Sequence, residues 1–152
     1  MDDKLLADLG AILVARTVQP VDGITAAGQP NEAAFEVFAA SAYVRVIDLR
    51  GVSENRGMNE REVVETLGMD YVPFPITSAQ EISFESAAKL DQLIKDADGP
   101  VLVHCASSDR VGALLALRSS LGGASDESAI AYGIQAGLTS LVAAVAAALA
   151  NE

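Results

Sequence analysis

The chain has 152 residues, 51% of them hydrophobic, which is enough for one domain with its own core and excludes disorder throughout. The formal net charge of −11 predicts that nucleic acid and anionic membranes are repelled over most of the surface. A single cysteine excludes an internal disulfide and a cysteine-cluster metal site.

The N-terminal region has apolar residues at helical spacing from Leu5 to Leu13. Residues 1–20 are therefore predicted to form a helical extension of the domain that residues 21–152 build. The first residues lack the basic start of a secretory signal, and no apolar run is long enough to span a bilayer. We expect a cytoplasmic protein, or a periplasmic or secreted one if a signal peptide has been removed.

Beyond residue 20, short β-branched or apolar runs alternate with stretches of helical spacing. The pattern predicts strands near residues 24, 45, 72 and 102, and helices over 33–41, 60–67, 84–96, 111–121, 126–137 and 140–150. Pro73 indicates that the third strand lies at an edge, because proline cannot donate to a ladder. The alternation predicts an α/β fold, with a mostly parallel sheet of four or five strands and helices on both faces.

The most informative stretch joins the last strand to a helix. The apolar run Val101–Val103 ends at His104 and Cys105, the only histidine and the only cysteine of the chain. Four small or polar residues then separate Cys105 from Arg110, where a helix-forming run begins. A helix N-terminus attracts anions and favours a thiolate, and a guanidinium binds a tetrahedral oxyanion with two parallel hydrogen bonds. The stretch therefore predicts an anion-binding loop with a cysteine nucleophile at its base.

This loop resembles that of the cysteine-dependent protein phosphatases, whose pattern is His-Cys, five residues, Arg, and Ser or Thr. Here only four residues lie between Cys105 and Arg110, and Val111 stands in place of the hydroxyl residue. The run 28–30 (Gly-Gln-Pro), a predicted helix and a strand ending in 47–50 (Ile-Asp-Leu-Arg) are similar to one bacterial branch of this superfamily. Its members are described as phosphatase-like or β-lactamase-hydrolase-like domains, and the resemblance covers about residues 23 to 141.

The resemblance implies a phosphocysteine mechanism, with Cys105 as the nucleophile and Arg110 holding the phosphate. His104 is assigned to orienting the strand end, and the alternative is a core histidine with satisfied hydrogen bonds. The remaining loop positions are assigned to substrate binding: Ala106, Ser107, Ser108, Asp109 and Val111.

Three further residues are candidates for accessory roles. Asp48 and Arg50 lie at the carboxyl end of a predicted strand, where ligands bind in open α/β sheets. An Asp–Arg pair that holds the loop explains them equally well. Related phosphatases place a general-acid aspartate in the segment 75–83, where Glu81 is the only carboxylate here, although a solvated turn residue is the favoured interpretation. Asp109 is a second candidate acid, and bracing of the loop is favoured for it.

The predicted function is hydrolysis of a phosphate monoester, with no cofactor and no metal. The partners are a phosphate-monoester substrate or an oxyanion, and neither nucleic acid nor a membrane. Slow turnover is expected, with aryl phosphates as the better substrates. Two alternatives stay open: a rhodanese-like sulfurtransferase, since rhodanese loops also have four residues at this place, and a catalytically weak module that binds phosphate.

Overall fold

The computed structural model of the chain describes residues 17–21 and 23–151, which form five strands and a set of helices. The strands are β1 (Thr17–Val21), β2 (Ile24–Ala27), β3 (Arg45–Asp48), β4 (Asp70–Pro73) and β5 (Val101–His104). The α-helices are α1 (Glu32–Ala40), α2 (Glu60–Thr66), α3 (Phe84–Lys95), α4 (Asp109–Leu121), α5 (Asp126–Gln135) and α6 (Val142–Ala150). Among these helices, none combines the length and the apolar character needed to cross a bilayer.

The sheet has the strand order β1-β2-β5-β3-β4. Strands β2, β5, β3 and β4 are parallel to one another, and β1 runs antiparallel to β2. The predicted mostly parallel α/β sheet is therefore confirmed, as is the edge position of the strand that contains Pro73. Because β5 lies between β2 and β3, its carboxyl end opens at the centre of the sheet edge where ligands bind in such folds.

Strand β1 extends across the boundary predicted at residue 20, so the sheet includes residues from 17 onward. The helix predicted in the N-terminal region from Leu5 to Leu13 lies outside the described residues.

Helices cover both faces of the sheet, and alternate side chains of each strand enter two separate cores. Val103 of β5 and Ile47 of β3 pack with α3, α4, α5 and α6 on one face. Leu102 and Val46, their neighbours in the chain, pack with α1 and α2 on the other face. This alternation is the period of two that a strand requires, and it buries β5 on both sides.

Side-chain caps define the starts of several helices, within one residue of the predicted ranges. Asn31, Asn59, Ser83 and Ser125 each accept a hydrogen bond from a backbone N–H in the first turn of the helix that follows. Helix α4 begins at Asp109, two residues before the predicted start, so the predicted loop supplies the first turn of this helix.

Candidate active site

The loop between β5 and α4 is short and tightly held. Ser108 immediately precedes α4 with a φ of 70°, a left-handed conformation that is unusual for a residue other than glycine. Its hydroxyl donates a hydrogen bond of 2.7 Å to the carbonyl of Ala136. Gly137 packs directly on it, since a Cβ at this glycine would lie 2.5 Å from the Cβ of Ser108. The turn after α5 therefore fixes the loop in its conformation.

Backbone hydrogen bonds connect the start of the loop to β2. The N–H of Cys105 donates to the carbonyl of Ala27 at 3.2 Å, and the N–H of Gln29 donates to the carbonyl of Ala106 at 3.1 Å. The N–H groups of loop residues 106, 107, 109 and 110 have no protein acceptor among the described residues. These donors remain available to an anion, as is common at the N-terminus of a helix.

Cys105 lies beneath the loop, with 1% of its surface exposed, against residues of the α3–α6 core. Hydrogen bonding to Glu54 is the main cause that raises the pKa of Arg110, against the effect of burial, and Cys105 adds a smaller contribution.

Arg110 is held by a carboxylate that the sequence analysis did not single out. Its Nη1 donates to Oε2 of Glu54 at 2.8 Å, and its Nη2 donates to Oε1 at 2.9 Å. Nη1 also donates to the carbonyl of Ile76 at 3.1 Å. The hydrogen bonds from Arg110 are the main cause that lowers the pKa of Glu54 to about 2. Glu54 is therefore a carboxylate, not an acid, at neutral pH.

The two carboxyls that were considered as general acids are also hydrogen-bond acceptors. Asp109 accepts from Ser140 Oγ and from the N–H groups of Thr139 (2.7 Å) and Leu141 (3.3 Å). Burial alone would raise the pKa of Asp109, but these hydrogen bonds hold it below its ordinary value. This geometry braces the loop against the start of α6.

Glu81 lies in a short 3-10 turn, Ala79–Glu81, before α3. It accepts from the N–H groups of Thr77 and Ser78 at 2.9 and 3.1 Å. These bonds, that of Thr77 first, lower the pKa of Glu81. Its geometry is that of a turn residue that caps its own segment.

His104 is fully buried and lies between two carboxylates. Its Nε2 is 2.5 Å from Oε2 of Glu60 and 3.8 Å from Oδ1 of Asp48. Burial would lower the pKa of His104, but the two carboxylates, Glu60 foremost, raise it above its ordinary value. His104 is therefore stabilised as an imidazolium directly before Cys105.

Asp48 and Arg50, proposed for the same crevice, take different partners. The carboxylate of Asp48 accepts from Arg56 Nε at 2.6 Å, from the Tyr71 hydroxyl at 2.5 Å and from the backbone N–H of Arg50 at 2.9 Å. Burial opposes the ionised form, but these groups and His104 still hold the pKa of Asp48 below its ordinary value. Asp48 is thus an internal acceptor.

The side chain of Arg50 points to Glu54 and to Gln29. Arg50 Nε donates to Glu54 Oε1 at 3.0 Å, and its Nη1 donates to Gln29 Oε1 at 3.0 Å. Gln29 in turn donates to Glu60 Oε1 at 2.8 Å. A continuous chain of side chains therefore joins the two ends of the loop. We call it the loop ring, and its members are His104, Glu60, Gln29, Arg50, Glu54 and Arg110.

Asp48, Glu60 and His104 present three ligand-type atoms within 4.8 Å of one another. Glu60 already hydrogen-bonds to His104, and Arg56 lies 2.6 Å from Asp48 and 3.9 Å from Glu60. With His104 charged, two cations balance two carboxylates. The cluster is therefore explained as a charge-compensated network.

A cavity of about 490 Å³ opens in front of the loop. Its lining includes Glu54, Thr77, Ser107, Asp109 and Arg110, so Arg110 is the cation that faces it. Of the other predicted substrate-binding residues, Ser108 and Val111 are buried and Ala106 is exposed beside the cavity lining.

Several solved structures with a similar fold are described as phosphatases or proposed phosphatases. A proposed phosphatase (DUF442) from Shewanella putrefaciens has a TM-score of 0.71 and 21% sequence identity, covering 96% of this chain and 97% of that one. A proposed phosphatase from Neisseria meningitidis has a TM-score of 0.73 and 20% identity, covering 86% and 96%. TpbA of P. aeruginosa, solved as a cysteine-to-serine variant with phosphotyrosine, has a TM-score of 0.60 and 15% identity, covering 86% of each chain. The fold is that of the tyrosine-phosphatase-like phosphatases.

Sequence comparison agrees with the fold. The chain is a homologue of the beta-lactamase hydrolase-like protein of Agrobacterium fabrum, with 30% identity over 112 residues. The match covers 71% of this chain and 26% of that relative, so the chain spans about a quarter of its length. No protein-family model matches the sequence. The resemblance predicted from the His-Cys loop is confirmed.

Proposed function

We propose that the chain is a cysteine-dependent phosphate-monoester hydrolase that works through a phosphocysteine intermediate. One observation carries the proposal: Cys105 directly follows the central strand, and the loop after it joins it to Arg110 and has N–H groups that have no protein acceptor among the described residues. Such a site offers a nucleophile and preorganised donors for the charge that develops on phosphate oxygens.

In the proposed reaction, the Cys105 thiolate attacks phosphorus. The S–P bond forms while the bond from phosphorus to the leaving oxygen breaks. The loop N–H groups and Arg110 hold the three oxygens that stay on phosphorus. Water then attacks the phosphocysteine, the S–P bond breaks, and inorganic phosphate and the thiolate are released.

The protonation state of the carboxyl groups near the site determines which substrates it favours. Glu54, Glu81 and Asp109 each accept hydrogen bonds that favour the ionised form. A leaving group therefore departs without a proton from any of them. This favours aryl phosphates, whose leaving oxygens are stable as anions, over alkyl phosphates.

The proposal is tested by Cys105→Ser with p-nitrophenyl phosphate as the substrate. We expect activity to fall to the level of the protein-free reaction, because a serine hydroxyl lacks the nucleophilicity of a thiolate. The Asp91→Asn variant serves as the control, since Asp91 pairs with Arg118 between α3 and α4, outside the cavity lining. Unchanged turnover in the Cys105→Ser protein would remove the nucleophile assignment. Transfer of sulfur from thiosulfate to cyanide by the wild type would indicate the sulfurtransferase instead.

A second candidate is a module that binds phosphate without turning it over. Near-complete burial of Cys105 favours this function, as do the carboxylates that lack a transferable proton. Calorimetry with inorganic phosphate separates the two candidates. Equal phosphate affinity in the wild type and Cys105→Ser, with no aryl-phosphate hydrolysis by either, would favour the binding module.

A further inference from the structure

The cavity in front of the loop is larger than a phosphate group, and most of its lining is uncharged. Its volume of about 490 Å³ lies within the range of small-molecule sites, roughly 300–1,000 Å³. The organic group of a phosphate ester therefore contacts the lining as well. That lining combines hydroxyl side chains, such as Ser53 and Ser107, with aliphatic ones, such as Ala79 and Leu141. Such a surface suits an organic group without charge.

Arg110 is the only cation among the described residues that line this cavity. It donates two hydrogen bonds to Glu54, so part of its charge is balanced before a ligand arrives. The nearby Arg50 also pairs with Glu54, at 3.0 Å, and does not belong to the lining. The proposed reaction uses Arg110 for the phosphate itself. A second anionic group on the same ligand therefore finds no further cation among these lining residues.

Asp109 adds a negative charge to the lining, and its hydrogen-bond partners are neutral. These partners are the backbone N–H groups of Thr139 and Leu141 and the hydroxyl of Ser140. They favour the ionised form without cancelling its charge. In a partly enclosed cavity the effective dielectric constant is lower than in bulk water, so this carboxylate repels another anion more strongly there.

We infer that the cavity selects phosphate monoesters whose organic group is neutral or positively charged, with Asp109 as the residue that disfavours a second anionic group. The inference rests on the proposed function, because it names the substrate class of the same site. It disfavours bisphosphates, nucleotides with more than one phosphate and esters that carry a carboxylate. This is selection by an unpaired charge, since the discrimination comes from repulsion of the wrong ligand.

The experiment measures the binding of three compounds to the protein by calorimetry: phenylphosphonate, 4-carboxyphenylphosphonate and 4-(aminomethyl)phenylphosphonate. A phosphonate has a P–C bond in place of the ester P–O bond, so it binds without turnover and no leaving-group effect enters the comparison. We expect the carboxylate to weaken binding about fivefold relative to phenylphosphonate, and the ammonium compound to bind at least as tightly as phenylphosphonate.

Asp109→Asn tests the residue. Asparagine keeps an oxygen that accepts from the N–H groups of Thr139 and Leu141 and removes the charge, so we expect the difference between the carboxylate and the neutral compound to shrink to about twofold. Glu85→Gln is the matched control. It changes the net charge by the same amount at a side chain that is 82% exposed and lies outside the lining, so the wild-type difference should persist.

A second pair of variants adds a cation instead of removing an anion, and it leaves the hydrogen bonds of Asp109 intact. Ala79→Lys places an ammonium group at an exposed position of the lining, and Ala88→Lys places one at an exposed position of α3 outside the lining. We expect Ala79→Lys to raise the affinity for 4-carboxyphenylphosphonate to at least that for phenylphosphonate. Ala88→Lys should leave the wild-type order unchanged. A thermal melt shows that each variant is folded.

Each outcome supports or overturns the inference. Equal affinities of the wild type for the three compounds, or tighter binding of the carboxylate, would overturn it, and hydrolysis of p-nitrophenyl phosphate would still leave the proposed function standing. Glu85→Gln and Asp109→Asn with equal effects would also overturn it, because the net charge would then be the cause. A folded Asp109→Asn protein with the wild-type order would remove Asp109 from the assignment.

The binding measurement and the hydrolysis assay can fail separately. The expected order of affinities without any hydrolysis would support selection by charge and remove only the hydrolase. A wild type that binds none of the three phosphonates would overturn the inference, and the proposed function with it where hydrolysis is absent too.

Discussion

His104 is a single ionisable group in an environment that favours its charged form. It is fully buried, yet Glu60 and Asp48 raise its pKa above the ordinary value of 6.5. A histidine that binds its proton more tightly in the folded state stabilises the fold. This contribution is complete below the pKa that the histidine has in the unfolded chain. This stability is lost as the pH rises through the higher pKa of the folded state.

We therefore predict that the free energy of unfolding falls as the pH is raised from 6.5 toward 9. The measurement is made in the Cys105→Ser background, so that the comparison concerns His104 alone. Urea unfolding at pH 6, 7, 8 and 9 gives the slope. His104→Gln in this background is the control, because the chain has no other histidine and glutamine can still donate to Glu60. The prediction is wrong if the slope is equally steep in the control, since the growing negative net charge would then account for it.

Some residues of the site were predictable from the sequence, and others were not. Cys105 and Arg110 were predictable because five positions of local chain connect them, between a strand and a helix start. Glu54 was not, since 56 positions separate it from Arg110 and its own loop carries only turn signals. Glu60 was not predictable for a different reason: a glutamate in the first turn of a capped helix is ordinarily explained by the helix dipole. Only the order of the strands brings these residues together.

Among the helices, the contact between α4 and the C-terminal end of α5 supports the loop that joins β5 to α4. Gly112 and Gly133 permit this contact, since a Cβ at Gly112 would lie 2.3 Å from the backbone N of Leu138 and 2.6 Å from the carbonyl of Gly133. The small residues of this part of α4, Gly112, Ala113 and Ala116, form a pattern that favours close contact with the sheet. The close neighbour of Gly112 is instead the end of another helix, which a pattern of residue sizes along one helix does not identify.

Gly112→Ala is predicted to destabilise the fold by about 3 kcal/mol, the upper range for overpacking, because backbone atoms and not a flexible side chain block the new methyl group. The measurement is the free energy of unfolding in urea. Gly122→Ala at the end of the same helix is the matched control: its φ is −80° and its nearest contact would be an ordinary 3.4 Å. That variant is expected to stay within about 0.5 kcal/mol of the wild type. Equal stability of the two variants would show that α4 and α5 move apart at little cost.

The first residue of a helix is set by local chemistry where a side chain caps the first turn. Where no side-chain cap is present, tertiary contacts set it. The starts of α1, α2, α3 and α5 lie within one residue of the predicted ranges, and an Asn or Ser side chain caps each first turn. Helix α6 begins at Val142, later than predicted, because Thr139 and Ser140 donate to Asp109 instead of capping the helix. The competing acceptor belongs to α4, 30 positions earlier, so the sequence pattern near α6 contains no sign of it.

In the molecule as a whole, charges of both signs are balanced near the site, whereas the net charge is strongly negative. At the cavity, Arg110 and the adjacent Arg50 are balanced by Glu54 and Asp109. The chain as a whole carries a formal net charge of −11. An approaching phosphate therefore meets repulsion at long range, and attraction begins only where the loop N–H groups and the guanidinium are within contact distance.

This difference predicts that salt increases the efficiency of the proposed hydrolysis. Raising NaCl from about 10 to 150 mM shortens the screening length from about 30 to 8 Å, so long-range repulsion weakens while contacts inside the cavity are little affected. We expect kcat/KM for p-nitrophenyl phosphate to rise a few-fold, with kcat at saturating substrate unchanged. Neutralising remote acidic residues, as in Glu85→Gln combined with Glu127→Gln, should reduce the effect of salt. These changes make the net charge less negative and leave the cavity lining unchanged. A steady fall of kcat/KM with salt would show that the field of Arg110 outweighs the net charge at every distance that matters for encounter.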